Sequence, residues 1–194
     1  LEPEVLTNFL TDYLTEMSRI SIKWGGTIDK FIGDAIMIFF GDPITKGENQ
    51  DAINCVKMAM EMLEKLKELR EDWRRKGLAL PINARIGIHT GICTVGNFGS
   101  EDRLDYTIIG NGVNLASRLE SHAKPNSILV SEDTYLHIQD EILCNKHQKF
   151  KVKGVAYPVQ TYCVDKLLNK DVSNKNNLKK NFHGFSLEMK FEKI

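Results

Sequence analysis

The chain has 194 residues, of which 42% are hydrophobic and 27% charged, a composition that suits one globular domain with a full core. Lysine plus arginine equal aspartate plus glutamate at 26 each, so no overall field favours nucleic acid or an acidic membrane. We therefore expect no nucleic-acid partner, and any anionic ligand must be held by a local cluster of cations.

Two further patterns concern the location of the chain. No stretch approaches the roughly 18 to 20 consecutive apolar residues of a membrane helix, and no signal peptide is visible. We expect the cytoplasm, or the cytoplasmic face of a membrane protein whose membrane region lies outside this sequence. The four cysteines contain no CxxC pair and are predicted to be reduced core thiols. They are Cys55, Cys93, Cys144 and Cys163.

The first part of the chain is predicted to form a helix, a hairpin and a second helix. Apolar residues at three- and four-residue intervals indicate an amphipathic helix over 3–20. The segments TIDKFI (27–32) and AIMIFF (35–40) are predicted strands joined by a tight turn at Gly33-Asp34. A long helix is predicted from about Asn49 to Arg75.

The remaining sequence alternates strands and helices up to residue 167. Strands are predicted over 82–88, after Gly91, near 105–109 and over 127–131, with helices near 112–122 and 131–140. Further strands are predicted near 148–153 and 159–164. Residues 1–167 are thus the predicted domain, and 168–194 a linker and tail of unknown role, whose closing segment, GFSLEMKFEKI, alternates like an edge strand.

The order of the elements predicts the fold class. Helix, strand, strand, helix, strand is a split βαβ unit that lacks its leading strand. We expect an α/β (α+β) fold with a ferredoxin-like βαββαβ core, whose first strand belongs to a segment upstream of Leu1.

Three local features carry polar groups that suit a binding site. The Gly33-Asp34 turn holds a carboxylate between two apolar strands, although such turns are ordinary in hairpins. Asn114 and Arg118 share one helix face, where an amide can orient a sugar oxygen and a guanidinium fork suits phosphate. A plain surface pair is the alternative. Lys153 stands at a strand end, as a phosphate donor or as a solvated side chain.

Taken together, these features resemble the catalytic domain of class III nucleotide cyclases, the adenylate and guanylate cyclase family. The resemblance covers about residues 1–165. Each stretch is weak evidence singly, whereas the ordered and correctly spaced set is specific. The stretches are GGTIDKFIGDAIMIFFG, RIGIHTGICTVGNFGSEDRLDYTIIGNGVNLASRLE and KVKG.

The resemblance implies a metal site and a base-reading site. Asp34 matches one of the family's two metal-binding aspartates, which implies two Mg²⁺ ions per site, for which Mn²⁺ can substitute. Lys30 and Thr107 match the pair that reads the base. The family's other metal aspartate lies on a first strand, which is not found in residues 1–194.

The resemblance also implies residues that hold the ribose and the phosphates. Asn114 matches the residue that orients the ribose, and Arg118 matches the one that stabilises charge developing on the α-phosphate. Lys153 matches the triphosphate-binding lysine. Arg103 is a further phosphate candidate, on a looser alignment.

Lys30 favours adenine over guanine. Lysine offers only hydrogen-bond donors, and adenine N1 is an acceptor, whereas guanine N1 carries a proton. Guanine would leave two donors facing each other, and a site rejects an analogue through such unpaired groups. The family's guanylate cyclases resemble one another in having glutamate at this place. Thr107 resembles the subgroup that contains bacterial and bicarbonate-responsive soluble enzymes.

The implied function is an adenylate cyclase that converts ATP to 3′,5′-cyclic AMP and pyrophosphate by two-metal catalysis. The family takes its metal aspartates from one subunit and its base-reading pair from the other, so we expect a homodimer with composite sites. Two alternatives stay open. One is a pseudo-cyclase that binds nucleotide without turnover, and the other is a guanylate cyclase. Regulatory domains are expected elsewhere in the full-length protein.

Overall fold

The computed structural model describes residues 3–77, 82–151, 158–168 and 188–192, the last of these by its backbone. Within these ranges the chain forms four helices and nine strands. The helices are α1 (Pro3–Trp24), α2 (Glu48–Arg75), α3 (Asn111–His122) and α4 (Glu132–Ile138). The strands are β1 (Thr27–Ile32), β2 (Ala35–Phe40), β3 (Arg85–Gly91), β4 (Thr94–Ser100), β5 (Arg103–Ile109), β6 (Ser127–Ser131), β7 (Ile142–Lys146), β8 (Thr161–Leu167) and β9 (Glu188–Glu192).

Seven of these strands form one sheet, in the order β1-β2-β9-β3-β6-β8-β7. Strands β3 and β6 run parallel, and the other neighbours are antiparallel. Strands β4 and β5 form a separate antiparallel hairpin. The result is the mixed α+β architecture that the order of elements predicts.

Strand β2 is buried on both faces, which explains its unbroken apolar run. Ile36 and Ile38 belong to the main core, which also contains side chains of α1 and α2. Met37 and Phe39 point to the opposite face, where they pack with Ile108 of β5. The β4–β5 hairpin is therefore fixed against the back of β2.

Helix α3 approaches β3 closely enough to exclude any side chain at Gly87. A Cβ atom at Gly87 would lie 2.2 Å from the backbone nitrogen of Glu120 and 2.3 Å from the carbonyl oxygen of Ala116. The Arg85 Nε atom also donates to Glu120 Oε1 over 3.0 Å. Both contacts set the position of α3 on the sheet.

One predicted strand is wrong in position. The strand predicted near 148–153 is represented, among its described residues, by a single bridge from Phe150 to Val159. The strand that pairs with β8 is β7, residues 142–146, where only three apolar residues stand together and give little periodicity. The strand predicted over 159–164 is β8, and it begins at Thr161.

Strand β9 is an interior strand, so the prediction of an edge strand for the closing segment is also wrong. It pairs antiparallel with β2 on one side and with β3 on the other. Alternation shows that a segment suits a sheet, but it does not show how many neighbouring strands the segment will have.

Two other predictions can be compared with the structure. None of the four cysteines forms a disulfide bond; Cys55 is buried and the other three are partly buried. None of the described helices is long and apolar enough to cross a bilayer.

Candidate active site

The β1–β2 hairpin presents Asp34 as predicted. Ile32 and Ala35 pair across a two-residue turn, in which Gly33 has a φ of 65°. This left-handed conformation favours glycine and leaves Asp34 exposed at the tip of the hairpin. Among the described residues, the Asp34 carboxylate has no hydrogen-bond or ion-pair partner, so its oxygens are available to a ligand.

Asp34 also faces helix α1. It lines a small cavity of about 40 Å³ together with Tyr13 and Leu66. Burial, and secondarily the charge of Asp34, raises the pKa of the Tyr13 hydroxyl. Tyr13 therefore stays protonated beside the carboxylate.

Lys30 and Thr107 meet although 77 residues separate them in sequence. The Lys30 Nζ atom donates to the Thr107 Oγ1 atom over 3.1 Å. Lys30 lies on β1 and Thr107 on β5, so this contact depends on the packing of the hairpin against β2. The structure thus brings together the two side chains to which the family resemblance assigns base reading.

A third residue, Asp29, belongs to this group and was missed by sequence reasoning. Its Oδ2 atom accepts from Thr107 Oγ1 at 2.7 Å and from the Ile108 backbone N–H at 3.1 Å. Its Oδ1 atom lies 3.2 Å from Lys30 Nζ. The Asp29 side chain is fully buried, whereas 42% of the Lys30 side chain is exposed.

A β-bulge places the Asp29 side chain where the regular alternation of a strand would not. Neighbouring residues of a regular strand point to opposite faces. In β1 the register shifts between Ile28 and Lys30, so Asp29 is the extra residue and shares a face with Lys30. The only sequence signal is an acidic residue next to the lysine, which is too common to single out.

Helix α3 presents Asn114 and Arg118 to solvent. Both are exposed, four residues apart, while Leu115 and Leu119 are buried on the other side of the helix. Neither polar side chain bonds to another described residue. The expected shared face is present, and the anchoring of α3 on β3 fixes its orientation.

Arg103, another predicted site residue, is not brought to this group. Arg103 lies at the start of β5, where its side chain is 83% exposed and its Nε atom is 3.8 Å from Asp105 Oδ1. Lys153 lies outside the described residues. Asp34 lines its cavity with residues of α1 and α2, whereas Lys30 contacts Thr107 on β5.

One histidine borders the start of α3. The Nδ1 atom of His89 lies 2.9 Å from Ser131 Oγ, and its ring would be 3.1 Å from a Cβ atom on Gly112. Burial lowers the pKa of His89, and Asp133 partly opposes that shift. The ring is therefore neutral at pH 7, and it packs between β3 and the start of α3.

The donor set suits a magnesium site built partly by the substrate. No group of three or more acidic, histidine or cysteine side chains is arranged for a metal within the described ranges. Magnesium, however, commonly takes one or two carboxylates together with substrate phosphates and water. The exposed and unpaired Asp34 fits that pattern.

Comparisons with known proteins agree with this architecture. Residues 1–166 match the family model described as the adenylate and guanylate cyclase catalytic domain. An adenylate cyclase of Anabaena cylindrica is 37% identical over 167 residues, which are 84% of this chain and 32% of that protein. The chain therefore spans about a third of the length of that relative.

Two solved structures are similar in fold and sequence. The adenylyl cyclase CyaB from P. aeruginosa is 51% identical with a TM-score of 0.84, over 89% of this chain and 88% of that one. The guanylyl cyclase Cya2 is 34% identical with a TM-score of 0.81, over 89% and 86% of the two chains. The chain belongs to the adenylate and guanylate cyclase family, and it has the fold of a class III nucleotide cyclase.

Proposed function

We propose that the protein is an adenylate cyclase that converts ATP to 3′,5′-cyclic AMP and pyrophosphate. Membership of the family supports a nucleotide cyclase, and relatives of both specificities are similar to the chain. The observation that carries the choice of adenine is the contact between Lys30 and Thr107. A lysine donor there complements adenine N1 and opposes the N1–H of guanine.

We propose that two protomers complete each site. Asp34 lines a cavity with residues of α1 and α2, whereas the Lys30–Thr107 pair involves β5, so a second protomer would bring the two groups to one nucleotide. Large apolar side chains are exposed around the same region, as expected of an interface. They are Phe31, Ile32, Ile92, Leu104, Tyr106 and Ile109.

In this proposal each polar side chain has one task. Asn114 orients the ribose, and Arg118 stabilises the negative charge that develops on the α-phosphate. Lys153 holds the triphosphate, and Arg103 is a more distant phosphate contact. Attack of the ribose 3′-oxygen on the α-phosphorus forms the ring and releases pyrophosphate.

Asp34 is the proposed magnesium ligand. The bound ions, two per site with Mn²⁺ as a substitute, would neutralise phosphate charge and lower the pKa of the attacking hydroxyl. Removing divalent cations with EDTA should therefore abolish turnover.

A complementation assay tests the composite site. In the full-length protein, Asp34→Ala and Arg118→Ala should each lower cyclic AMP production by about 10²-fold or more. Mixing the two variants produces heterodimers in which one of the two sites retains both side chains. Part of the wild-type activity should return on mixing.

Three results would contradict parts of this proposal. A mixture as inactive as its parent proteins, beside an active wild type, would refute the composite site. Faster turnover of GTP than ATP would indicate a guanylate cyclase. Tight ATP binding without product from the full-length wild type would indicate a pseudo-cyclase.

A further inference from the structure

The hydrogen bonds of Thr107 leave it one way to contact a base. A hydroxyl has one proton to donate and two lone pairs to accept with. The proton is directed to Asp29 Oδ2 at 2.7 Å, and one lone pair accepts from Lys30 Nζ at 3.1 Å. The remaining lone pair can only accept, and it therefore suits an amino group.

Lys30 complements this arrangement. Its ammonium has three N–H donors, one of which bonds to Thr107. Asp29 Oδ1 lies 3.2 Å from the same nitrogen and makes no aligned hydrogen bond, so this contact is charge pairing. Lys30 is thereby held in place and keeps an N–H donor available for a base.

The resulting pattern is one acceptor beside one donor. Adenine presents its 6-amino group as a donor beside N1 as an acceptor, and so matches both. Guanine presents O6 as an acceptor beside N1–H as a donor, and so matches neither. A threonine hydroxyl free to rotate could donate to O6, whereas one bound to Asp29 cannot.

The structure makes Asp29 well suited to impose this polarity. Its carboxylate is fully buried, and burial of a charge requires partners. The Ile108 backbone N–H holds the carboxylate from β5, and the β1 bulge turns it to the same face as Lys30. Asp29 is therefore placed by the fold rather than by the substrate.

We propose that Asp29 is a positioning residue for base specificity, which fixes the Thr107 hydroxyl as an acceptor and so selects adenine. The proposal rests on the proposed adenylate cyclase function and adds a residue that acts through Thr107. It predicts that the base preference depends on the hydrogen-bond acceptor at position 29 more than on its charge.

Two substitutions separate these contributions. Asp29→Ala removes the acceptor, and the ratio of kcat/KM for ATP to that for GTP should fall about tenfold or more. Asp29→Asn keeps an oxygen that can accept from Thr107 and Ile108, so the ratio should stay within about threefold of wild type. Loss of the charge beside Lys30 should instead lower kcat/KM for both nucleotides.

Asp42→Ala is the matched control. The Asp42 carboxylate accepts from the hydroxyl of Tyr106, the neighbour of Thr107 on β5. Its removal should leave the ratio unchanged. Titration of each full-length variant with 3′-deoxy-ATP and 3′-deoxy-GTP by calorimetry measures the same preference without turnover.

Substitutions at Thr107 test whether Asp29 acts through it. Thr107→Val should lower the ratio, and adding Asp29→Ala to that variant should cause little further change. Thr107→Ser retains the hydroxyl and should retain the ratio. This pair tests the proposal even if Asp29→Ala does not fold.

The outcomes distinguish this proposal from the proposed function. A wild type that prefers ATP, with the same ratio in Asp29→Ala, would overturn the role of Asp29 alone. The role of Asp29 would also be overturned if Asp29→Ala lowered the ratio in the Thr107→Val background as much as in the wild type. A wild type that prefers GTP would overturn both.

Discussion

At the scale of single residues, close packing and unusual backbone positions determine where the candidate site residues stand. Gly87 lets α3 approach β3, and Gly33 lets the hairpin turn at Asp34. Neither residue carries a side chain that could touch a nucleotide. Both are nevertheless needed for the geometry of the side chains that could.

Gly87→Ala is expected to destabilise the protein. The added Cβ would meet backbone atoms of α3 at 2.2 and 2.3 Å, so the helix must shift. We expect a loss of about 3 kcal/mol in the free energy of unfolding, measured by urea denaturation. Because α3 carries Asn114 and Arg118, cyclase activity should fall as well.

Gly96→Ala is the matched control for that measurement. Gly96 is also a strand glycine, and its added Cβ would have its nearest atom, on the Phe98 ring, at 3.6 Å. Its free energy of unfolding should stay within about 1 kcal/mol of wild type. Equal losses in the two variants would show that the contact between α3 and β3 is unimportant.

At the scale of elements, the sequence predicts what depends on local pattern. The β1–β2 hairpin has the predicted strand boundaries, and α2 begins within one residue of the prediction. The apolar periodicity of α2 extends over many helical turns, and the residues between β1 and β2 are typical of a tight turn. The Asn114 and Arg118 pair on α3 follows from helical spacing in the same way.

Features that depend on tertiary pairing could not be predicted. The bulge at Asp29 is a shift of register between two strands, and no residue type in β1 requires it. The place of β9 between β2 and β3 depends on which strand edges are open when it docks. Local pattern contains neither kind of information.

The interior position of β9 can be tested by substitution at Lys190. In both ladders Lys190 lies opposite a partner, Phe39 on β2 and His89 on β3. Proline removes a backbone N–H that an interior strand uses. Lys190→Pro should therefore cost about 3 kcal/mol and lower Tm, measured by thermal denaturation.

Lys190→Thr is the control for the change of side chain. Threonine keeps the backbone donor and favours extended structure. Its Tm should stay close to that of wild type. If Lys190→Pro melts at the same temperature as Lys190→Thr, β9 is not an interior strand of the sheet in solution.

At the scale of the whole molecule, the proposed composite site makes association of two protomers a condition for activity. Exposed apolar residues at the end of β1 and on the β4–β5 hairpin lie on the same elements as the Lys30–Thr107 pair. Covering them with a second protomer would bury apolar area and exclude water from the base-reading pair.

Ile109→Asp tests this dependence directly. Ile109 is 51% exposed on β5, and burying a carboxylate there without a partner is unfavourable. Loss of its apolar burial and addition of the charge should raise the dimer Kd at least about 100-fold, a change of about 2.7 kcal/mol. Sedimentation velocity measures the Kd, and cyclic AMP production should fall in proportion to the dimer population.

Leu136→Asp provides the comparison, because Leu136 is 59% exposed but lies on α4. This variant should dimerise and turn over ATP as wild type does. Both variants place a charge on an exposed apolar residue, so a difference between them assigns the interface to the β5 side. A monomeric Ile109→Asp protein with full activity would mean that one protomer contains a complete site and would refute the composite site.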